Sequence, residues 1–540
     1  MILQKKSLIM VLLKLNTNKL FFLFIFVHTV FGCGSDDSLP GNEPEEEIEE
    51  NNCTLSSVEY SHGSSTASRT KYQSSSVAYG STCVSESQTG TCSNGTFTWT
   101  GTFTNDACIV ASPAKCTLSG VEYGHGSSTA SRTKYQSSSV AYGSTCVSES
   151  QTGTCSNGTF TWTGTFDNDS CSVEPFKFIS IASSGHFTCA IGSNSKTYCW
   201  GKGDGGQIGN GGTSDMSVPT EITLPAGVTF SSVGVGFEHA CAIGSDSKAY
   251  CWGKAGFGRL GNGTNTPDVS TPTLVTMPSG ITFTAISVGY YTTCAIGSNS
   301  KTYCWGEGSK GEIGNSATSD QNVPTEVTLP SGVTFSKISS TGLNSCAIGS
   351  DSNTYCWGQN EFGATGNGTT SVSGTSSPTP VSLPSGVTFT KVNTGNHFAI
   401  ALGSDSKSYS WGYNNVGTLG NGNTTSSSTP VLITLPTGIT FTSVRADNGY
   451  KACAIGSNGS AYCWGQGGLG NGSSSNVSTP GIVTMPSATT FSKISGGQSY
   501  ACALNSDLTQ AYCWGEGSNG QIGNGGTSDV SVPTAVTMPN

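Results

Sequence analysis

"CAIGSNSKTYCWG", residues 189–201, holds two cysteines ten positions apart and ends on Trp-Gly. Nearly the same words return at 241–253, 294–306, 346–358 and 453–465. "AIG" and "KTY" suit two short antiparallel strands and "SNS" suits the turn between them, so Cys189 should face Cys199 across a hairpin. A zinc site gathers four ligands, often as CxxC-type pairs, and a thioredoxin-like redox site wants C-x-x-C; one C-x9-C pair per repeat is neither. The expected bonds are Cys189–Cys199, Cys241–Cys251, Cys294–Cys304, Cys346–Cys356, Cys453–Cys463 and Cys502–Cys513. The fifth repeat, "IALGSDSKSYSWG", supplies a control: both cysteine positions change together, to Ile400 and Ser410. Paired loss is expected of a disulfide, since a lone partner is a reactive thiol. Each bond closes a loop of eleven or twelve residues and should contribute about 2–3 kcal/mol, in an oxidising compartment.

Around each hairpin the same units recur. Trp200, Trp252, Trp305, Trp357, Trp411, Trp464 and Trp514 are spaced by 52, 53, 52, 54, 53 and 50 residues. Every unit has an alternating apolar stretch such as "VTFSSVGVG", then "CAIG", then "TYCWG", a Gly/Asn-rich loop, and a "VPTEVTLP"-like stretch. Four short strands per repeat, seven times over, predict an all-β, seven-bladed β-propeller across 176–540, with an open β-solenoid as the alternative. "TLPSGVTF" (328–335) reads as a tight hairpin within one blade. On that reading Val532–Met538 should pair with Phe176–Ala182, so that N- and C-terminal strands close the ring and remove its edges.

Upstream, residues 53–108 recur almost letter for letter at 116–171. They predict two small β-rich modules, 53–112 and 113–175, each stapled by two disulfides because its core is too small alone. Cys53, Cys83, Cys92 and Cys108 allow three connectivities, as do Cys116, Cys146, Cys155 and Cys171. "GTFTWTGTF" (95–103 and 158–166) alternates like a half-buried strand. At the N-terminus, Lys14 and Lys19 precede the apolar run 20–27 and then "VFGC" (30–33), the proportions of a lipoprotein signal segment (1–32) with Cys33 as lipid-attachment residue. Residues 33–52 contain eight acidic and no basic residues, an extended tether. The expectation is an exported protein, lipid-anchored to a bacterial outer membrane or cell surface, touching the membrane through the anchor only.

Charged residues make up 10% of the 540-residue chain and the net charge is −10, which argues against nucleic-acid binding. No HExxH, GxSxG or P-loop motif is present. His62 and His125 are copies of each other, expected as satisfied surface histidines. The Asp and Asn of "GSDS" and "GSNS" need only turn chemistry. No cofactor or metal is expected.

"GHFTCAIGSNSKTYCWGKGDGGQIGNG" (185–211) resembles a repeat of the regulator of chromosome condensation family. The resemblance covers 176–540 and implies a seven-bladed propeller. The founding members act on a small nuclear GTPase and touch chromatin, and exported bacterial relatives grip another protein.

Strands barely change among blades, but the residues just before each "CAIG"-like strand do. His186, Phe187, Phe237, His239, Tyr290, Tyr291, Leu343, Asn344, His397, Phe398, Tyr450, Lys451 and Tyr500 are therefore the expected binding face, gathered around the axis. Phe257, Arg259, Phe362 and Tyr413, after the "WG" pairs, form a second set. The function expected is a monomeric, non-catalytic, surface-displayed platform for a macromolecule, in the first place a protein. The alternative is an enzyme acting on glycan or cell wall with acidic groups in the channel, and guanine-nucleotide exchange is a more distant one.

Overall fold

The computed structural model describes residues 52–539, so the expected signal segment, Cys33 and all but the last residue of the tether lie outside the described residues. The described chain divides into two compact units, 52–127 with 155–160 and 128–154 with 161–539, a division that runs through the second repeat module.

In the first module, Cys53–Leu55 pairs with Val58–Tyr60, and Ser85–Ser93 sits between Ala67–Tyr72 and Thr96–Trp99. Its disulfides are Cys53–Cys92 and Cys83–Cys108, and the second module repeats them as Cys116–Cys155 and Cys146–Cys171. One of the three open connectivities is thereby selected. The alternation expected over 95–103 stops at Trp99, whose ring carries the Arg69 guanidinium at 4.1 Å. Gly101 then turns the chain with φ +95°, where a Cβ would collide with the Glu86 carboxylate. His62 and His125 are engaged through Nδ1, which accepts the N–H of Asn94 and of Asn157, each at 3.1 Å.

Residues 178–535 form seven four-stranded antiparallel sheets. Blade 1 consists of Phe178–Ser184, Phe187–Gly192, Thr197–Gly201 and Met216–Glu221, in that order, and blade 7 of Phe491–Gly496, Tyr500–Asn505, Ala511–Gly515 and Val530–Ala535. First strands of successive blades lie against one another around the axis, and that of blade 1 lies against that of blade 7.

This order corrects two expectations. The "PSGVTF" turn leads from the outer strand of one blade to the inner strand of the next, so it is not a hairpin: Gln321–Glu326 closes blade 3 and Phe335–Ser339 opens blade 4. The last strand, Val530–Ala535, pairs with Ala511–Gly515 of its own blade and not with Phe178–Ser184. The two terminal blades close the ring by packing. Phe178 donates its N–H to the Leu508 carbonyl at 3.1 Å, Gly525 to Ser217 at 2.8 Å, and the Trp200 indole to Gln521 at 3.1 Å. Phe178, Trp200, Tyr500, Cys502 and Val536 share one core cluster.

Each blade interface follows the same chemistry. The phenylalanine that opens the first strand stacks on the tryptophan of the third, as Phe230 does on Trp252 at 5.9 Å and 11°. Against that pair packs the preceding blade's hairpin: Phe187, Cys189, Ile191 and Cys199 cluster with Phe230 and Trp252. All seven tryptophans are fully buried, and truncating any of them should cost about 3–5 kcal/mol.

All twenty described cysteines are bonded, and the six expected blade disulfides are present with Cα atoms 4.1 Å apart. Ile400 faces Ser410 at the equivalent rung of blade 5. In the turns, Asp246 accepts the Lys248 N–H and, at 2.8 Å, the Tyr250 hydroxyl, so the carboxylate is occupied by the hairpin itself.

Candidate binding face

The turn between first and second strands and the loop between third and fourth strands emerge at the same end of every blade. The two sets of variable residues therefore share one face. Glycine in the first turn lets neighbouring turns approach around the axis: a Cβ on Gly289 would stand 1.9 Å from the Ser340 carbonyl oxygen, and one on Gly342 1.7 Å from that of Gly395. The turns so crowded set a rosette of side chains around the mouth.

Over blades 1 to 3, His186 lies 5.9 Å from Phe237, Phe237 stacks on Tyr290 at 4.0 Å, and Tyr290 meets Tyr291 edge-on at 4.6 Å. Phe257 joins from the blade 2 loop, 5.2 Å from Tyr291. It has φ +63°, a backbone unfavourable for an aromatic residue, and stays 41% exposed. Arg259, only 4% exposed, underpins this arc: its guanidinium lies 4.5 Å from the Tyr291 ring and 3.4 Å from Glu238. Glu238 also pairs with Lys254 at 3.1 Å, and that bond raises the Lys254 pKa. Over blades 4 to 6 a second arc runs from His397 to Phe362 (5.3 Å), Tyr413 (5.0 Å) and Tyr450 (4.5 Å). Burial lowers the pKa of His186 and His397 and raises that of Tyr290, so at neutral pH these rings present an uncharged aromatic surface.

Of the thirteen expected residues, His186, Phe237, Tyr290, Tyr291, Leu343, His397 and Tyr450 are partly exposed at this end. Phe187, His239, Asn344, Phe398, Lys451 and Tyr500 are buried, which corrects their assignment to the face. The reason is strand geometry. These residues open the second strand directly opposite the glycine of "WG" (Phe187 opposite Gly201, Tyr500 opposite Gly515), and their side chains turn inward. His239 Nε2 bonds the Thr293 hydroxyl of the next blade at 2.9 Å, and the Tyr500 hydroxyl bonds that of Thr188 at 2.9 Å.

Sequence reasoning missed Lys254 and Glu516 as members of the face; Glu516 lies 3.7 Å from His186. Only the pairing of loops from different strands brings them in. On the axis itself, a cavity of about 220 Å³ is lined by Ile181, Val233, Val235, Ile286 and Ile494, with Arg445 as its one charged group.

A family profile for the "Regulator of chromosome condensation (RCC1) repeat" matches residues 194–243, 246–296, 299–348, 351–402, 405–452, 458–504 and 510–540. Among curated proteins, the chain is 26% identical over 297 residues to the ultraviolet-B receptor UVR8 of Arabidopsis thaliana, covering 55% of this chain and 66% of the receptor. It is 27% identical over 280 residues to the human E3 ubiquitin-protein ligase HERC2, covering 51% of this chain but 6% of the ligase. The match thus spans just under two thirds of the first relative and a small part of the second. Among solved structures, yeast RCC1 (Prp20) bound to Kap60 superposes with a TM-score of 0.56 at 21% identity, over 66% of this chain and 85% of that one. Human WBSCR16 gives 0.55 at 20%, over 61% and 87%. At these identities the superpositions establish the fold.

Proposed function

Because this chain belongs to the Regulator of chromosome condensation (RCC1) repeat family, we propose that its propeller is a non-catalytic protein-binding platform, displayed at a bacterial surface by lipid on Cys33. The observation that carries the reading is the aromatic rosette, from His186, Phe237, Tyr290, Tyr291 and Phe257 to His397, Phe362, Tyr413 and Tyr450. Tyrosine and phenylalanine rings give large contact area at low entropy cost, and Arg259 and Glu238 hold them in place before a partner arrives. That the yeast propeller was solved with Kap60 supports the platform reading. An enzyme working in the channel would need converging carboxylates, whereas the cavity lining carries Arg445, the hydroxyls of Ser287, Thr341 and Ser495 and apolar residues, and no acidic group.

A photo-reactive phenylalanine analogue placed at Tyr290 of the full-length protein should yield one discrete covalent protein adduct. The same analogue at Ser350, in a turn at the opposite end, should yield none. No adduct from Tyr290, or equal adducts from both ends, refutes the platform. The anchor is tested apart: a radiolabelled fatty acid should enter the wild type and be lost in Cys33→Ala, and label retained by the variant refutes it.

A further inference from the structure

One blade departs from the other six. In blade 6, Gly465 and its cross-strand partner Val477 are 12 positions apart, while the equivalent pairs elsewhere span 15 to 17. The shortening has a structural signature. In six blades the buried indole N–H is accepted by a carbonyl of the preceding blade's loop: Trp200 by Gln521, Trp252 by Gln207, Trp305 by Arg259, Trp357 by Glu312, Trp411 by Ala364 and Trp464 by Thr418. Trp514, which follows the shortened loop, has no such partner.

Where that loop is missing its residues, a pocket of about 260 Å³ opens, lined by Lys451, Gln466, Ser474, Asn476, Gln498 and Ser499. The Asn476 carboxamide accepts the Gly467 N–H at 3.1 Å and pins the short loop at its rim. Lys451 is the residue that decides its chemistry. Its side chain is 1% exposed and its Nζ makes no hydrogen bond; Asp447, at 3.8 Å, is its ion partner. Around Asp447 stand two basic groups, Arg445 from the channel side and Lys451 from the pocket side, so one carboxyl is shared between them. Burial pushes the Asp447 carboxyl up to about 7 and pulls the Lys451 pKa down, so neither group fully satisfies the other. The remaining lining is amide and hydroxyl, the donors and acceptors that satisfy sugar hydroxyls. The pocket is smaller than drug-sized sites of roughly 300–1,000 Å³ and suits a single sugar unit. It continues into a groove of about 530 Å³ that carries Glu516 and Asp529.

We propose that the pocket between blades 6 and 7 binds an acidic monosaccharide unit, its carboxylate on Lys451 and its hydroxyls on Gln466, Asn476, Gln498, Ser474 and Ser499. The carboxylate completes the hydrogen bonding that Lys451 lacks, and the sugar takes the space filled by loop residues in the other blades.

The test is calorimetric titration of the full chain, disulfides intact, with glucuronate and galacturonate, against glucose and acetate. At least one uronate should bind saturably at one site, at least about tenfold tighter than glucose or acetate, because both the charged and the neutral contacts are needed. Ser499→Trp, an exposed position at the pocket rim, should abolish that binding and leave the unfolding temperature unchanged. Lys451→Met should weaken it at least about tenfold; should that variant not fold, Ser499→Trp alone decides. Absence of binding by both uronates, equal binding of glucose, or binding indifferent to Ser499→Trp overturns the proposal.

Discussion

Phe237 and Tyr290 stack with centroids 4.0 Å apart and planes 11° from parallel, joining the first turns of blades 2 and 3 at the channel mouth. Neither ring is fully buried, so the pair combines contact with its neighbour and access to a partner. A double-mutant cycle with Phe237→Ala and Tyr290→Ala should give a coupling of about 0.5–1.5 kcal/mol in unfolding free energy. The same cycle between Phe237 and Tyr413, which belong to separate arcs, should give coupling within experimental error.

Blade 5 offers a gain of function. Ile400 and Ser410 occupy the cross-strand rung that holds a disulfide in every other blade. Ile400→Cys with Ser410→Cys should oxidise spontaneously, seen as a two-proton mass loss and the absence of free thiol. The oxidised variant should exceed its own reduced form by about 2–3 kcal/mol in stability. Against wild type the gain should be smaller. Ile400 is fully buried, and trimming it leaves a cavity costing on the order of 1–3 kcal/mol.

The disulfides were legible because a fixed spacing and a paired exception both follow from cross-strand geometry. Strand order within a blade was not. "PSGVTF" carries turn chemistry, and turn chemistry is the same whether the next strand joins the same sheet or starts another. The deciding fact is long-range: Phe335 stacks on Trp357, more than twenty residues downstream, and so belongs to blade 4. The face was half legible for a similar reason. Most variable residues came in adjacent pairs of which alternation sends one inward, as with partly exposed Tyr450 and buried Lys451, whereas Tyr290 and Tyr291 both precede the inward residue, Thr292. Only the register, Lys451 opposite Gly465, says which one.

Reduction should proceed in a set order. The twelve blade cysteines are fully buried, while Cys83, Cys108, Cys146 and Cys171 are partly exposed. Exchange requires a thiolate to reach a sulfur, so brief treatment of the native protein with reductant should open Cys83–Cys108 and Cys146–Cys171 first. Alkylation followed by peptide mass spectrometry should find those four labelled before any of the cysteines from Cys189 to Cys513. Early label on a blade cysteine would mean that the ring opens far more readily than its packing implies.

Glu312 supplies a pH test with an internal control. In the blade 1 and blade 7 loops, Gln207 and Gln521 accept the N–H of Gly205 and Asn519; in blade 3 the same bond is made by Glu312 to Lys310 at 2.7 Å. Glu312 is 2% exposed and its Oε1 is without a partner, so burial pushes its pKa up to about 7 from 4.5. A carboxyl whose folded pKa is raised holds its proton more tightly in the native state. Its contribution to stability is whole below about 4.5 and is lost as pH rises toward about 7. Ionising it in place costs the fold on the order of 3 kcal/mol at pH 8. Glu312→Gln keeps the bond to Lys310 and cannot ionise. The variant should therefore match wild type near pH 4.5 and exceed it at pH 8, with most of the difference developing between pH 5 and 7. Unfolding midpoints of both proteins across that range measure it, and parallel curves would show that Glu312 ionises freely in the folded blade.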